Sequence, residues 1–213
     1  MSISTNYLKE ACVETFQQAM NAENLGANRI ELCARLDLEG ITPSKELIKQ
    51  CMDRLNIPLR IMIRPRAGDF VYSEEEMEKM KSSIRFCKDL GVDGVVFGIL
   101  NKDKTLNLDA ISKLVNFALP LKVIIHKAID ETPHILTAVK ELCQIGGITS
   151  ILTSGGKLRA LEGIPVLKNM IEISRNQVEI IPAGNITSEN VEDIHLQLGA
   201  KVYHGKLIVG KLE

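Results

Sequence analysis

The sequence predicts an α/β fold: a compact (β/α)8 barrel of the TIM type whose eighth helix is short or missing. First, eight short apolar runs alternate with longer helical patterns along the 213 residues. The runs start 21 to 36 residues apart, a spacing typical of repeated βα units and a parallel sheet. Second, the first βα turn, Val13-Glu14-Thr15, lacks the glycines of an open nucleotide-binding sheet, so eight units favour a closed barrel. Third, only Gly205–Glu213 follows the last run, which is too short for a normal eighth helix.

The predicted strands are the eight apolar runs themselves. Each is short and is separated from the next by a helical pattern, as expected for βα units. In chain order they are Leu8–Val13, Arg29–Cys33, Pro58–Arg64, Gly94–Phe97, Lys122–His126, Ser150–Thr153, Glu179–Ala183 and Val202–His204.

Two of the predicted helices have clear patterns. Residues Glu75–Leu90 follow a capping box formed by Ser73 and Glu76 and end before Gly91, which is typical of a helix with both ends defined. The segment Lys45–Leu55 has apolar residues at positions i, i+4 and i+8, the spacing of one helical face.

Prolines mark two more predicted helices. Thr132 followed by Pro133 is typical of a helix start. Gly163 is expected to interrupt the stretch after Gly156, and Pro165 to restart a helix through Ile173. No linker divides the chain, so we expect residues 1–213 to form a single domain.

The composition excludes several classes of function. Lys and Arg number 26 and Asp and Glu 27, a balance that argues against nucleic-acid binding and against a basic membrane tether. With no Trp and 4% aromatic residues, surfaces for base stacking are not expected. No apolar run is long enough to span a membrane, and the N-terminus lacks the apolar core of a signal peptide. Five cysteines without paired spacing indicate a reducing compartment and hence a cytoplasmic protein.

Polar residues concentrate where the predicted strands end, which is the end of a βα barrel that carries the chemistry. Two residues apart on a strand lie on one face, so Glu10 shares a face with Cys12, and Glu31 with Cys33. The remaining strand ends carry Arg64 and Arg66; His126, Lys127 and Asp130; Ser154, Gly155 and Gly156; Gly184 and Asn185; and His204 and Lys206.

Several of these segments closely resemble the CutC copper-homeostasis family. They are Ile30-Glu31-Leu32-Cys33, Gly40-Ile41-Thr42-Pro43-Ser44, Met62-Ile63-Arg64-Pro65-Arg66-x-Gly68-Asp69-Phe70 and Leu152-Thr153-Ser154-Gly155-Gly156. The resemblance runs from about Glu10 to His204, and it implies a cytoplasmic (β/α)8 barrel linked to copper handling. It also implies that Cys12 and Cys33 are the copper-binding residues.

The chain departs from the family pattern in three places. Lys127 stands where the family has an arginine, which replaces a planar bidentate guanidinium with a point charge. Ala183-Gly184-Asn185 stands where the family has a run of glycines, and the tail after His204 is shorter.

Two hypotheses for Cys12 and Cys33 stay open at this point. Neighbouring strands lie about 4.8 Å apart, so both thiols are expected to approach one ion, and thiolates suit Cu(I). Alternatively, both cysteines are small buried apolar residues. Cys51, Cys87 and Cys143 lie on apolar helix faces and are expected to be structural.

The competing hypothesis is an enzyme acting on a small anionic or phosphorylated substrate. Its acid–base candidates are Glu31, His126, Asp130 and His204, because carboxylates and imidazoles transfer protons near neutral pH. Its anion-binding candidates are Arg64, Arg66, Lys127, Ser154, Gly155, Gly156, Gly184, Asn185 and Lys206, which combine positive charge with turns preceding helices. His134 and His195 are expected to be solvated surface residues.

The missing eighth helix leads to a prediction about assembly. Without that helix, Val202, Leu207, Ile208 and Val209 are expected to form an exposed apolar patch, which monomers rarely tolerate. We therefore expect the segment Met1–Tyr7 or a second subunit to cover it, with a homodimer favoured.

Overall fold

The computed structural model describes residues 7–175 and 177–213 of the chain, and it confirms the predicted barrel. All strand pairs are parallel, in the order β7-β6-β5-β4-β3-β2-β1-β8. The strands are β1 Leu8–Val13, β2 Arg29–Leu32, β3 Leu59–Met62, β4 Gly94–Phe97, β5 Lys122–Ile125, β6 Ile148–Thr153, β7 Glu179–Pro182 and β8 Val202–Gly205. β7 and β8 lie side by side, and a parallel bridge between Thr187 and Leu207 nearly closes the barrel.

Seven α-helices cover the outside of the sheet within the described residues. They are α1 Phe16–Asn24, α2 Lys45–Met52, α3 Glu74–Leu90, α4 Leu108–Ala118, α5 Ile135–Cys143, α6 Ala160–Ser174 and α7 Val191–Leu198. Short 3-10 segments occur at Leu36–Leu38 and Lys127–Glu131. No helix of the described residues is both long and apolar enough to cross a membrane.

The start of α3 illustrates how local sequence sets a helix boundary. The Ser73 side chain accepts from the Glu76 amide, and the Glu76 carboxylate accepts from the Ser73 amide, as the capping box predicted. Gly91 ends the helix at φ 71°, a left-handed conformation that glycine adopts without strain.

Two predictions about helix starts are wrong. Helix α5 begins at Ile135, and Thr132 instead ends the preceding 3-10 segment, where its hydroxyl donates to the Ile129 carbonyl at 2.7 Å. Helix α6 runs unbroken through Gly163 and Pro165. A Cβ on Gly163 would lie 2.0 Å from the Ser154 carbonyl oxygen. This glycine therefore permits close packing of α6 on the end of β6 and does not end a helix.

The chain itself covers the position of the missing eighth helix, so the predicted apolar patch is wrong. Val202 is buried inside the barrel, and Ile208 and Val209 are buried in the outer core; only Leu207 is exposed. The apolar patch therefore no longer supports a homodimer, which stays a prediction. Residues 1–6 of the segment expected to cover the patch lie outside the described residues.

An aromatic cluster packs beside this tail. The Tyr7 and Tyr203 rings meet edge to face at 5.2 Å, and His195 Nδ1 lies 3.1 Å from the Tyr203 hydroxyl. The expectation that His195 is solvated is therefore wrong, since its ring is half-buried. His134 is exposed at the start of α5, as predicted. Cys51 and Cys87 are buried in the helix–sheet core, and Cys143 packs against it, also as predicted.

Candidate metal centre

Two thiols meet inside the barrel at its carboxyl-terminal end. Cys12 lies on β1, and Cys33 directly follows β2, where its amide continues the ladder by donating to the Val13 carbonyl at 2.9 Å. Their Sγ atoms are 3.8 Å apart, and both side chains are buried. The alternation of side chains along neighbouring strands thus brings together the two cysteines that sequence analysis singled out.

The Glu31 carboxyl group lies against both sulfurs. Its Oε1 is 3.4 Å from Cys33 Sγ and 4.0 Å from Cys12 Sγ, while its buried Oε2 has no hydrogen-bond partner. Burial raises the pKa of Glu31 to about 8, because an apolar environment disfavours the charged form. Glu31 is therefore mostly protonated at neutral pH.

A second carboxylate, Glu10, anchors His204 beneath the thiols. Glu10 pairs in register with Arg29 on β2 and with His204 on β8. Its carboxylate lies 2.9 Å from His204 Nδ1, 3.1 Å from Arg60 Nη1, and in contact with Arg29 Nε. Burial opposes ionisation, but the hydrogen bond to His204 and the charges of Arg29, His204 and Arg60 hold the pKa of Glu10 at about 2. Glu10 is thus a buried anion with three cationic neighbours.

His204 carries a positive charge in this setting. Burial alone would lower its pKa, but the acidic groups around it, of which Cys12 and Glu10 are ionised at neutral pH, raise the pKa well above its ordinary value. The resulting imidazolium and the Lys206 ammonium both favour a thiolate at Cys12. Lys206 is held in place by donating to the Leu36 carbonyl at 3.0 Å.

The two cysteines differ in protonation. A hydrogen bond from Cys33 is the main cause that lowers the pKa of Cys12 to about 5, against the opposing effect of burial. The same bond and burial raise the pKa of Cys33 well above its ordinary value. At neutral pH the pair is therefore one thiolate and one thiol sharing a proton between their sulfurs.

The β2–α2 loop covers the thiols. Leu36 packs against the cluster of buried side chains that contains both cysteines, and its amide donates to Glu14 Oε2 at 2.8 Å. Gly40, at φ 87°, lies so close that a Cβ there would be 3.3 Å from Cys33 Sγ. Glycine is thus required both for the backbone conformation and for the approach of the loop to the sulfur.

The two arginines expected to clamp an anion mainly hold loops. Arg64 donates from Nη1 to the carbonyls of Leu38 and Gly40 and from Nη2 to that of Gly68. Its guanidinium thereby joins the β2–α2 loop to the β3–α3 loop.

Arg66 is paired within its own loop region. Its guanidinium donates to Glu76 Oε1 at 2.6 Å and to Asp69 Oδ1 at 2.9 Å, and it also donates to three backbone carbonyls. These contacts tie the β3–α3 loop to the start of α3 and leave Arg66 engaged with internal partners.

The glycine-rich loop after β6 surrounds an internal anion. The Asp130 carboxylate accepts from the amide and hydroxyl of Ser154 and from the amide of Gly156, each at 2.9 Å. The Gly155 amide donates to Thr153 Oγ1, which itself donates to Asp130, and Lys127 Nζ lies 4.0 Å away from the same carboxylate. The donors of Ser154 and Gly156, which sequence analysis assigned to an external anion, are therefore engaged by Asp130.

His126 lies apart from the thiol centre, directly after β5. Its Nδ1 accepts from the Ala128 amide at 3.1 Å, while its buried Nε2 has no partner. Burial and the charge of Arg64 lower the pKa of His126 to about 3, so that the ring stays neutral. A Cβ on Gly98 would lie 2.7 Å from His126 Nδ1, so the glycine leaves room for the ring.

Gly184 and Asn185 form the turn after β7. The Gly184 carbonyl accepts from the Ala160 amide at 2.9 Å, and the Asn185 carbonyl accepts from Asn190 Nδ2 at 2.9 Å. The next helix begins at Val191.

Sequence analysis missed the buried arginines of this centre. Arg29 and Arg60 are almost fully buried and contact Glu10. A signal was available for Arg60, because it interrupts the otherwise apolar strand β3. Arg29 also lies two residues before Glu31, on the same strand face.

Comparison with known proteins finds one family along nearly the whole chain. A model of the CutC family matches residues 7–209. The copper homeostasis protein cutC homolog of Homo sapiens is 39% identical over 201 residues, covering 94% of this chain and 73% of that protein. A family protein CutC of Pasteurella multocida is 35% identical over 216 residues, covering 95% and 88%.

Solved structures give the same result at the level of the fold. A crystal structure of CutC from Streptococcus agalactiae superimposes with a TM-score of 0.89 and 32% identity, covering 95% of this chain and 99% of that chain. N-acetylneuraminate lyase from Mycoplasma synoviae superimposes with a TM-score of 0.65 at 12% identity, covering 96% of this chain and 70% of that chain. That likeness concerns the barrel fold alone.

Proposed function

The chain belongs to the CutC family, and we propose that it binds one Cu(I) ion between Cys12 and Cys33 in the cytoplasm as part of copper homeostasis. The observation that carries this proposal is the pair of buried sulfurs 3.8 Å apart at the barrel end. Relatives named as copper homeostasis proteins support the choice of metal.

The separation of the sulfurs fits a shared metal ion. Thiolates bind metals such as zinc at about 2.3 Å, so two sulfurs on one ion lie at most about 4.6 Å apart. The observed 3.8 Å is within that limit. Sulfur ligands also select soft ions such as Cu(I) over Mg²⁺ or Ca²⁺.

Charge favours a monovalent ion over a divalent one. Cys12 is already a thiolate, so binding requires only the proton of Cys33 to leave. Cu(I) carries the same charge as that proton, and the exchange leaves the net charge of the buried centre unchanged. A divalent ion would add a further positive charge to a buried centre that already holds the His204 imidazolium, which is costly.

The other polar groups of the centre would support the two sulfur ligands without binding the ion themselves. Glu31 is protonated and His204 is charged at neutral pH, so neither presents a free lone pair as readily as a thiolate does. His204, oriented by Glu10, would instead stabilise the thiolate charge around the ion. The β2–α2 loop would exclude water, which protects Cu(I) from oxidation and exchange.

A cytoplasmic location agrees with this chemistry. All five cysteines are free thiols in the structure, and the cytoplasm keeps thiols reduced. Both Cys12 and Cys33 must stay reduced in order to bind Cu(I).

An anaerobic Cu(I) titration against a competing chelator tests the proposal. The wild-type protein is expected to hold about one Cu(I) per chain. The Cys12→Ser/Cys33→Ser variant removes both proposed ligands. Its affinity for Cu(I) should therefore fall by more than the roughly 10–100-fold that is typical when only a group beside a metal ligand is removed. Cys143→Ser, at a half-buried helix position, is the matched control and should bind like wild type. Undiminished copper binding by the folded double variant would overturn the proposal.

A further inference from the structure

Three buried hydrogen-bond donors at the barrel end have no acceptor. They are Arg64 Nε, the Tyr72 hydroxyl and His126 Nε2. Among the described residues only two other buried side-chain atoms lack a partner, Arg29 Nη2 and Glu31 Oε2. The unsatisfied donors are thus concentrated in one region, on the β3 and β5 side of the barrel.

Two of the three side chains pack against the ring of Phe70. The Arg64 guanidinium carbon lies 4.7 Å from the centre of the Phe70 ring, and the His126 ring centre lies 4.8 Å from it. Tyr72 follows two residues later on the same loop. The Arg64 charge acts on both partners, lowering the pKa of His126 and opposing the rise in the pKa of Tyr72 that burial causes.

Each of the three groups carries a proton that it can donate at neutral pH. His126 Nδ1 accepts from the Ala128 amide, so its proton is on Nε2. Arg64 Nε–H has no acceptor capacity. Burial raises the pKa of Tyr72 to about 12, which keeps the phenol protonated. A buried donor without an acceptor costs free energy, so the cluster is suited to a ligand that supplies oxygen acceptors.

The charge of the cluster specifies the ligand further. Arg64 is 2% exposed, and its hydrogen bonds go to the backbone carbonyls of the two loops that it joins. Among the described residues, its one carboxylate neighbour within 4.0 Å is Glu39, which is 85% exposed. The described part of the chain therefore gives this charge no buried counter-ion, and a single negative charge would compensate it. A dianion such as phosphate would leave one negative charge uncompensated.

We propose that Arg64, Tyr72 and His126 form a binding site for a small monocarboxylate, with the Phe70 ring as its apolar wall. The carboxylate oxygens accept from the three donors, and the anion neutralises Arg64. This site contains neither Cys12 nor Cys33 and does not depend on copper binding.

Side-chain NMR with acetate as the probe tests the site directly. The buried Arg64 Nε–H and His126 Nε2–H groups give separate ¹H–¹⁵N signals, which are assigned with Arg64→Lys and His126→Phe. Both signals are expected to shift saturably with acetate and to stay unchanged with chloride at equal ionic strength. Inorganic phosphate should bind at least tenfold more weakly than acetate. No saturable shift, or equal binding of phosphate, would overturn the proposal.

Matched variants connect the binding to the donors. Tyr72→Phe removes only an unpartnered hydroxyl, so it should leave the melting temperature of the ligand-free protein unchanged or raised. It should weaken acetate binding about tenfold or more, the usual effect of losing a hydrogen bond to a charged group. Tyr203→Phe removes a phenol elsewhere in the chain and should leave acetate binding intact. The Cys12→Ser/Cys33→Ser variant should also keep it. Acetate binding unaffected by Tyr72→Phe would overturn the proposed three-donor site, because Tyr72 would then make no hydrogen bond to the anion.

Discussion

The buried carboxyl group of Glu31 gives a large and specific pH effect on stability. Its pKa is raised from 4.5 to about 8 in the folded protein, so the unfolded chain releases this proton at lower pH than the folded chain does. A raised folded-state pKa contributes stability that is fully present below pH 4.5 and is lost as the pH rises to about 8. Over that interval of about 3.5 pH units, at 1.36 kcal/mol per unit, the loss is about 5 kcal/mol.

Glu31→Gln removes this titration with little change in shape. Without copper and under reducing conditions, the variant should gain stability relative to wild type as the pH rises from 5 to 8. Urea unfolding at several pH values measures the difference. Glu162→Gln, at an exposed position of α6, is the control and should show no such trend. A pH-independent difference between Glu31→Gln and wild type would show that Glu31 is ionised in the folded protein, and the reasoning from burial would then be refuted.

Three further outcomes are expected. Gly163→Ala places a Cβ 2.0 Å from the Ser154 carbonyl oxygen, so it should destabilise the protein by roughly 1–3 kcal/mol or more, the usual cost of overpacking. Gly146→Ala is the control, because a Cβ there meets no atom within 4 Å. Equal urea midpoints for the two variants would contradict the packing described for α6. Asp130→Asn should lower the free energy of unfolding by about 2–3 kcal/mol, because it weakens the charge-assisted hydrogen bonds from Ser154 and Gly156. Unchanged hydrogen exchange at the Gly156 amide would contradict this expectation. Cu(I) should bind about tenfold more tightly per pH unit between pH 6 and 8, because the proton of Cys33 must leave. Calorimetry in two buffers measures the number of protons released on binding, and a number near zero would contradict the prediction.

Most of the fold was predictable because each βα unit carries its own local pattern. Strands β1 and β4 have the predicted bounds, and α3 begins within one residue of the expected position. The continuity of α6 through Gly163 was not predictable, because that glycine is required by close packing against the Ser154 carbonyl of another element. The tail gave no helical pattern, yet Ile208, Val209 and Leu212 are buried in the core without forming a helix.

The candidate site was predictable only where strand geometry determines it. Cys12 and Cys33 follow from alternation along two neighbouring strands, and their sulfurs do meet. The capture of Asp130 by the β6 loop depends on a 3-10 segment that brings two βα loops together. Likewise, the carbonyl partners of Arg64 belong to backbone of two different loops. Such loop-to-loop contacts have no periodic signal in the sequence.

X-ray absorption at the copper edge of the Cu(I)-loaded protein tests the central claim most directly. Two sulfur ligands at about 2.3 Å are expected for wild type, and Cys33→Ser should reduce them to one. Cys143→Ser should leave the spectrum of the wild type unchanged. A first coordination shell made of nitrogen or oxygen, or one that is indifferent to Cys33→Ser, would contradict copper binding between Cys12 and Cys33.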